Sequence, residues 1–251
     1  MPKPYTHRTY RQRFRNDRWH GFVAKYKETD VWIGVDKKSF HREMPKFAEQ
    51  IIYALRKEAD EYLTYDPLYA LSLVPYRALD FAPILLKEMS DISFQTGIGP
   101  MATVAGAFAE RIARELKKKF EIQEIIVENG GDIYADIQED IEVAIFAGDS
   151  PLSDKIGLRI AAKKSPLGIC TSSGTVGPSL SFGQADAVMI VCKNAALADA
   201  YASVFANKIQ TSEDINPVLA QIEREKNILS ALVVKDDKLG IIGQFEMTLF
   251  R

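Results

Sequence analysis

The chain has 251 residues, 47% of them hydrophobic and 26% charged, a composition that excludes global disorder and can bury a sizeable core without metal or disulfide staples. With 32 Lys and Arg against 34 Asp and Glu and a formal charge of −2, it offers no basic field for a nucleic-acid backbone, so the expected partner is a small molecule. Only Cys170 and Cys192 are present, without a Cys-x-x-Cys pair or a Cys/His cluster, which argues against a disulfide scaffold or zinc ribbon and for a reducing cytoplasm.

The first 20 residues read as a basic arm carrying Lys3, Arg8, Arg11, Arg13, Arg15 and Arg18. No apolar h-region follows the arm, and no run reaches the ~18 apolar residues of a membrane span, so neither a signal peptide nor a membrane-embedded chain is expected. Next, Gly21-Phe-Val-Ala-Lys-Tyr26 and Asp30-Val-Trp-Ile-Gly-Val35 form a hairpin pattern around the polar Lys27-Glu28-Thr29. From Phe47 to Tyr65, apolar residues at Phe47, Ile51, Ile52, Leu55, Ala59 and Leu63 fall at three- and four-residue steps, the stripe of an amphipathic helix. A second helix is expected near Pro83. A third spans Met101 to Phe120, where small residues give way to Lys117, Lys118 and Lys119, suited to the negative end of the helix dipole.

Beyond Ile122 the period shortens toward two. Strands are expected at 124–128, 132–137, 141–147, 156–161 and 185–192, then helices at 195–208 and 218–225, then a strand at 229–234 and a last one ending near Phe250. The short connections predict a mostly antiparallel sheet with packed helices. No repeat or low-complexity linker interrupts the pattern, so residues 21–251 are expected to form a single α+β domain.

Four segments carry chemistry. In Gln95-Thr-Gly-Ile-Gly-Pro-Met-Ala102, Gly97 and Gly99 precede a helix start whose free N–H groups could meet a phosphate; the same glycines could simply permit a turn. In Glu128-Asn-Gly-Gly-Asp-Ile133, a tight turn accounts for Asn129, Gly130 and Gly131 but not for the carboxylates of Glu128 and Asp132 that bracket them. The stretch 168–183 sets Thr171, Ser172, Ser173, Thr175, Ser179 and Ser181 among glycines that include Gly174, a set of neutral donors for phosphate oxygens. Cys170 or a serine there could act as a nucleophile, but His7, His20 and His41 all lie far away in sequence and no base is indicated. On the helix at 195–208, Asp199 and Ser203 are four residues apart and share a face, an oxygen pair of the kind Mg²⁺ accepts; an ordinary carboxylate near a helix start reads the same way.

Taken in order, these segments resemble the ApbE family of Mg²⁺-dependent FAD:protein FMN transferases, and most closely an ApbE-like branch of it. The matching words are Gly-Pro-Met-Ala-x-Val-Ala-Gly-Ala at 99–107, Glu-Asn-Gly-Gly-Asp-Ile at 128–133, Cys-Thr-Ser-Ser-Gly-Thr-Val-Gly at 170–177, and Ala198-Asp199, with Glu28-Thr-Asp30 near the start. The resemblance implies an ApbE-like fold, metal ligation by Asp199 and Ser203, and a flavin nucleotide lined by Gly97, Gly99, Asn129, Gly130, Gly131, Asp132, Thr171, Ser172, Ser173, Gly174 and Thr175. It further implies that Asp132 orients substrate or takes a proton, that Mg²⁺ and FAD are the cofactor and the ligand or substrate, and that an acceptor protein is a partner. The chain departs from the family at Pro100, where a lysine is usual, and at Pro178, where relatives of the branch carry His. It also lacks a His-Ile-Ile-Asp-Pro-type segment and a Phe-Asp-x-Met-Gly-Thr-type segment. The expectation is therefore an enzyme that transfers or cleaves across the pyrophosphate of FAD or a similar dinucleotide. The alternative is a non-catalytic flavin- or metabolite-binding protein on the same fold.

Overall fold

The computed structural model describes residues 18–176 and 181–250; the readings made for residues 1–17 of the basic arm and for Pro178 and Ser179 fall outside them. The N-terminal hairpin forms as the alternation predicts. Strands β1 (Trp19–Tyr26) and β2 (Thr29–Asp36) pair antiparallel with Tyr26 opposite Thr29, so the turn is the two residues Lys27 and Glu28, and Lys27 adopts φ 52°.

The amphipathic stripe becomes α1 (Met44–Tyr65), which buries Ala48, Ile51, Ile52 and Ala59. A short α2 (Pro67–Leu71) and α3 (Ile84–Thr96) follow. The expected helix at 101–120 begins as a single 3-10 turn, Pro100–Thr103, and becomes α4 (Val104–Lys119), with three lysines in its last turn. Then come β3 (Ile125–Asn129), β4 (Asp132–Asp136), β5 (Ile141–Ala144), β6 (Ile156–Ile160), β7 (Leu167–Ser172) and β8 (Ala187–Cys192). The chain closes with α5 (Ala195–Ala206), α6 (Ile215–Ile222), β9 (Ile228–Lys235), β10 (Lys238–Gly243) and β11 (Glu246–Leu249).

Eight strands form one sheet in the order β1-β2-β3-β4-β7-β8-β9-β10, and β11-β6-β5 form a second; every recorded pair is antiparallel. The α+β class and the antiparallel sheet thus agree with the sequence reading. Because side chains alternate across a strand, the large sheet feeds two cores. Ile33, Val127, Cys170, Val188 and Ile190 pack with α1, α4 and α5, whereas Trp32, Ile126, Ile169, Met189 and Leu232 pack with β5 and β6. Covered on both faces, β8 reads as the unbroken apolar run Ala-Val-Met-Ile-Val-Cys.

Three elements were not legible. Strand β7 falls at the start of the stretch 168–183, whose glycines and hydroxyls mask it, although Leu167, Gly168, Ile169 and Cys170 are all buried. Helix α2 is one turn long, started by Pro67 and by the Asp66 carboxylate accepting from the Tyr69 N–H, too short for a periodic stripe. Strand β10 carries two glycines and buries none of its six residues, so it lacks the apolar run that marks β9.

Candidate functional site

The β3–β4 hairpin closes through Gly130 and Gly131, at φ 70° and 105°, values that only glycine adopts without strain. Asn129 and Asp132 face each other across this turn. The Asn129 amide donates to the Ala105 carbonyl oxygen at 3.1 Å, and the Gly131 N–H donates to the Glu128 carboxylate at 2.8 Å. Glu128, unassigned by the sequence reading beyond its charge, is fully buried and shapes the hairpin.

Helices α4 and α5 complete the site. The Asn194 side chain accepts from the Leu197 N–H at 2.8 Å and starts α5. Five residues on, the buried Asp199 carboxylate accepts from the Gly106 N–H at 2.9 Å and from the Ala105 N–H, at the opening of α4. In return, the buried Glu110 carboxylate of α4 accepts from the Ala195 N–H at 2.7 Å, at the opening of α5. Each helix supplies the N-terminal acceptor of the other. The approach needs glycine: a Cβ on Gly106 would lie 2.3 Å from the Ala195 oxygen, and one on Gly168 2.3 Å from the Ala195 Cα.

Asp132 and Asp199 share this buried region with Cys170. Burial, then the negative Asp199, drives the Asp132 carboxyl well above its ordinary range, with the Cys170 thiol and the Thr171 N–H opposing and Glu128 adding to the rise. Burial pushes Asp199 up to about 7 against its two backbone donors. The Asp132 Oδ1 is buried without a hydrogen-bond partner. The Cys170 thiol donates to the Ala195 carbonyl oxygen at 3.3 Å. Burial and the two carboxyls raise its pKa, which keeps it a neutral thiol rather than a thiolate nucleophile. His20 and His41 stack on Phe40 and Phe120 instead. The sequence signal for Cys170 is register: Ile133 pairs with Ile169, so Asp132 and Cys170 fall next on the same face.

The structure therefore gathers Asn129, Gly130, Gly131, Asp132, Thr171 and Asp199 around the start of α4. Ser203 is one turn beyond Asp199 on α5 and half-buried. Gly97 and Gly99 serve a different contact. Gly97 ends α3 at φ 78°, and the Gly99 N–H donates to the Leu73 carbonyl oxygen at 3.0 Å, so close to Ser72 that a Cβ would sit 1.9 Å from its oxygen. The Ser173 hydroxyl accepts from the N–H groups of Thr175 and Val176, and the Thr175 hydroxyl bonds the Asp186 carboxylate at 3.1 Å. The Gly174 N–H donates to Ala185 at 2.8 Å, and Ser172 pairs with Val188 at the end of β7. Among the described residues, no group of three or more His, Cys, Asp or Glu is placed to hold a metal, and no helix is long and apolar enough to cross a membrane.

A family model described as AbpE bacteria matches residues 11–238. The chain is 37% identical over 223 residues to a UPF0280 protein of Methanocaldococcus jannaschii, covering 87% of this chain and 88% of that one. It is likewise 37% identical over 223 residues to a UPF0280 protein of Methanopyrus kandleri, covering 86% and 88%. Among solved structures, the apo flavinyl transferase ApbE of Pseudomonas stutzeri superposes with a TM-score of 0.60 at 14% identity, over 89% of this chain and 93% of that one. The flavin transferase ApbE of Vibrio cholerae gives 0.52 at 12% identity, over 89% and 96%. The likeness to these two shows a shared fold.

Proposed function

Because the chain belongs to the family described as AbpE bacteria and has the ApbE-like fold, we propose that it binds FAD or a similar dinucleotide together with Mg²⁺ and transfers or cleaves across the pyrophosphate. The observation that carries this reading is the pairing of two buried carboxyls, Asp132 and Asp199, with one Asp132 oxygen left without a partner. A cation would relieve both their mutual repulsion and that missing bond.

The donors fit magnesium. Asp199, Ser203 and Asp132 are hard oxygen ligands, and Mg²⁺ takes one or two protein carboxylates and fills its remaining positions with phosphate and water. When bound, Mg²⁺ supplies neutralisation of the charge on the phosphate oxygens. The chain's own residues do the rest. Gly130 and Gly131 leave the hairpin tip bare of side chains, so that a nucleotide approaches backbone. Thr171 and Ser172 present polar groups beside it. Asp132, whose carboxyl is driven well above its ordinary range in the metal-free site, would be ionised beside the cation, where it orients the substrate or takes a proton from it. The loop at 173–175 forms the outer lining in this reading, and an acceptor protein is the partner when transfer rather than cleavage is the outcome.

Calorimetric titration with FAD, FMN and ADP, each with Mg²⁺ and with chelator, tests the proposal. Binding of FAD strengthened by Mg²⁺ supports it; no binding of any of the three removes it. A second reading, a protein that holds the nucleotide without turnover, is favoured by the Ser173 and Thr175 hydroxyls being engaged within their own loop and with Asp186. Cleavage of FAD under single-turnover conditions would count against that alternative.

A further inference from the structure

The segment joining α1 to α3 is fixed from within. The buried Asp66 carboxylate accepts from the hydroxyls of Tyr62 at 2.8 Å and Tyr76 at 3.0 Å. The Tyr62 oxygen accepts from the Leu79 N–H at 2.9 Å, and the Tyr69 hydroxyl donates to the Leu86 carbonyl oxygen at 2.7 Å. Ser90 bonds both Tyr76 and Ala78. A drifting surface loop would leave these groups to water, whereas here the inward polar bonds hold one conformation.

Outward, the same segment is apolar. Tyr65, Leu68, Leu71, Val74, Phe81 and Ile84 are 61% to 73% exposed, and the Tyr65 and Phe81 rings meet edge to face at 4.8 Å. Together they present roughly 700–800 Å², close to the ~800 Å² that one partner gives to a standard interface. A patch of that size is at or above the largest found on a typical monomer. The charged groups beside it carry both signs. Arg77 pairs with Asp91, and Lys87 reaches the Asp80 carbonyl oxygen. A rim of a single sign would repel its own copy across a two-fold axis, but a mixed rim can pair with itself.

We propose that this face is covered by a second copy of the chain, in a two-fold dimer centred on Leu71 and Val74. A stable apolar face of this extent calls for a partner that is always present in equal amount, and an identical chain meets that condition. The proposal is independent of any nucleotide or metal.

Sedimentation velocity over a concentration series tests it on the full-length protein. The expected result is a dimer whose dissociation constant rises about 30-fold or more, the effect of losing one interface hot spot, in each of Leu71→Asp and Val74→Asp. Unchanged far-UV circular dichroism and a single cooperative melting transition confirm that the variants fold. Leu249→Asp, an exposed position on β11, serves as control and should leave the dimer intact. A wild-type protein that is monomeric at all concentrations, or a dimer that survives both substitutions in folded protein, overturns the proposal. A monomer that instead binds another protein through this face overturns it equally.

Discussion

The Asp199 carboxylate on α5 holds the Gly106 N–H of α4 at 2.9 Å, and this one contact gives the residue two separable duties. Its oxygen satisfies buried backbone at the start of a helix, and its charge sits beside Asp132. Asp199→Asn keeps an acceptor oxygen and removes the charge, so this variant should fold and lose the Mg²⁺ enhancement of FAD binding. Asp199→Ala also orphans the N–H groups, and urea denaturation should show a loss of about 1–3 kcal/mol. Equal Mg²⁺ enhancement in wild type and Asp199→Asn would separate the carboxylate from the metal.

Magnesium should raise the melting temperature. At a free concentration about 100 times the dissociation constant, binding adds about 2.7 kcal/mol, which for a chain of this size is roughly 5–10 °C. Scanning calorimetry with Mg²⁺ and with chelator measures the shift, and Asp132→Asn should diminish it.

Gly106→Ala should loosen the α4–α5 crossing, because the added carbon would stand 2.3 Å from the Ala195 oxygen and 3.0 Å from the Asp199 Cβ. Overpacking of this kind costs about 1–3 kcal/mol. Chemical denaturation reads the loss; a stability unchanged from wild type would show that the helices separate without strain.

Acid stability should depend on Glu124. Burial alone would raise its carboxyl, but the Arg18 guanidinium and the N–H groups of Gln138 and Glu139 outweigh it and hold the pKa below the ordinary value. A carboxyl depressed in the folded state contributes stability above its unfolded pKa, near ~4.3, and loses it as the pH falls through the lower folded value. Melting followed from pH 6 to pH 3 should therefore be steeper in wild type than in Glu124→Gln. Matching slopes would remove Glu124 as a contributor.

Glu110→Gln should be milder than Glu110→Ala. Gln keeps an acceptor for the Ala195 N–H, bonded at 2.7 Å in wild type, and loses only the ion pair with Arg114. Ala leaves the Ala195 N–H without its acceptor while Asn194 still caps the Leu197 N–H, a loss of about 1 kcal/mol or more. Denaturation midpoints rank the two, and a reversed order would show that the charge, not the acceptor, matters.

What the sequence made legible was whatever repeats at short range. Short apolar runs disclosed β2, β3, β4 and β8, the three- and four-residue stripe disclosed α1, and Asn129-Gly-Gly marked a turn beside Asp132. Long-range exchange left no such mark. Gly106 and Asp199 are 93 residues apart, and Glu110 and Ala195 are 85 apart; nothing local to α4 or α5 says that each caps the other. Cys170 was weighed as a nucleophile because local sequence shows a thiol among hydroxyls, while its burial beside two carboxyls depends on strand pairing. Gly99 read as a ligand-facing glycine, yet close approach to Ser72 accounts for it, a demand set by α2 and the bend after it.

Strand β2 pairs with β3 through Val31 opposite Asn129, and the three longest helices before β7 lie between them in the chain. A ribosome adding 5–20 residues per second needs roughly 5–20 s to make that intervening stretch. Throughout this interval the N-terminal hairpin has an apolar strand with an open edge and no neighbour to close it. The vulnerable moment for this protein thus falls during its synthesis, and slowing translation before β3 should increase misassembly more than slowing it after β4.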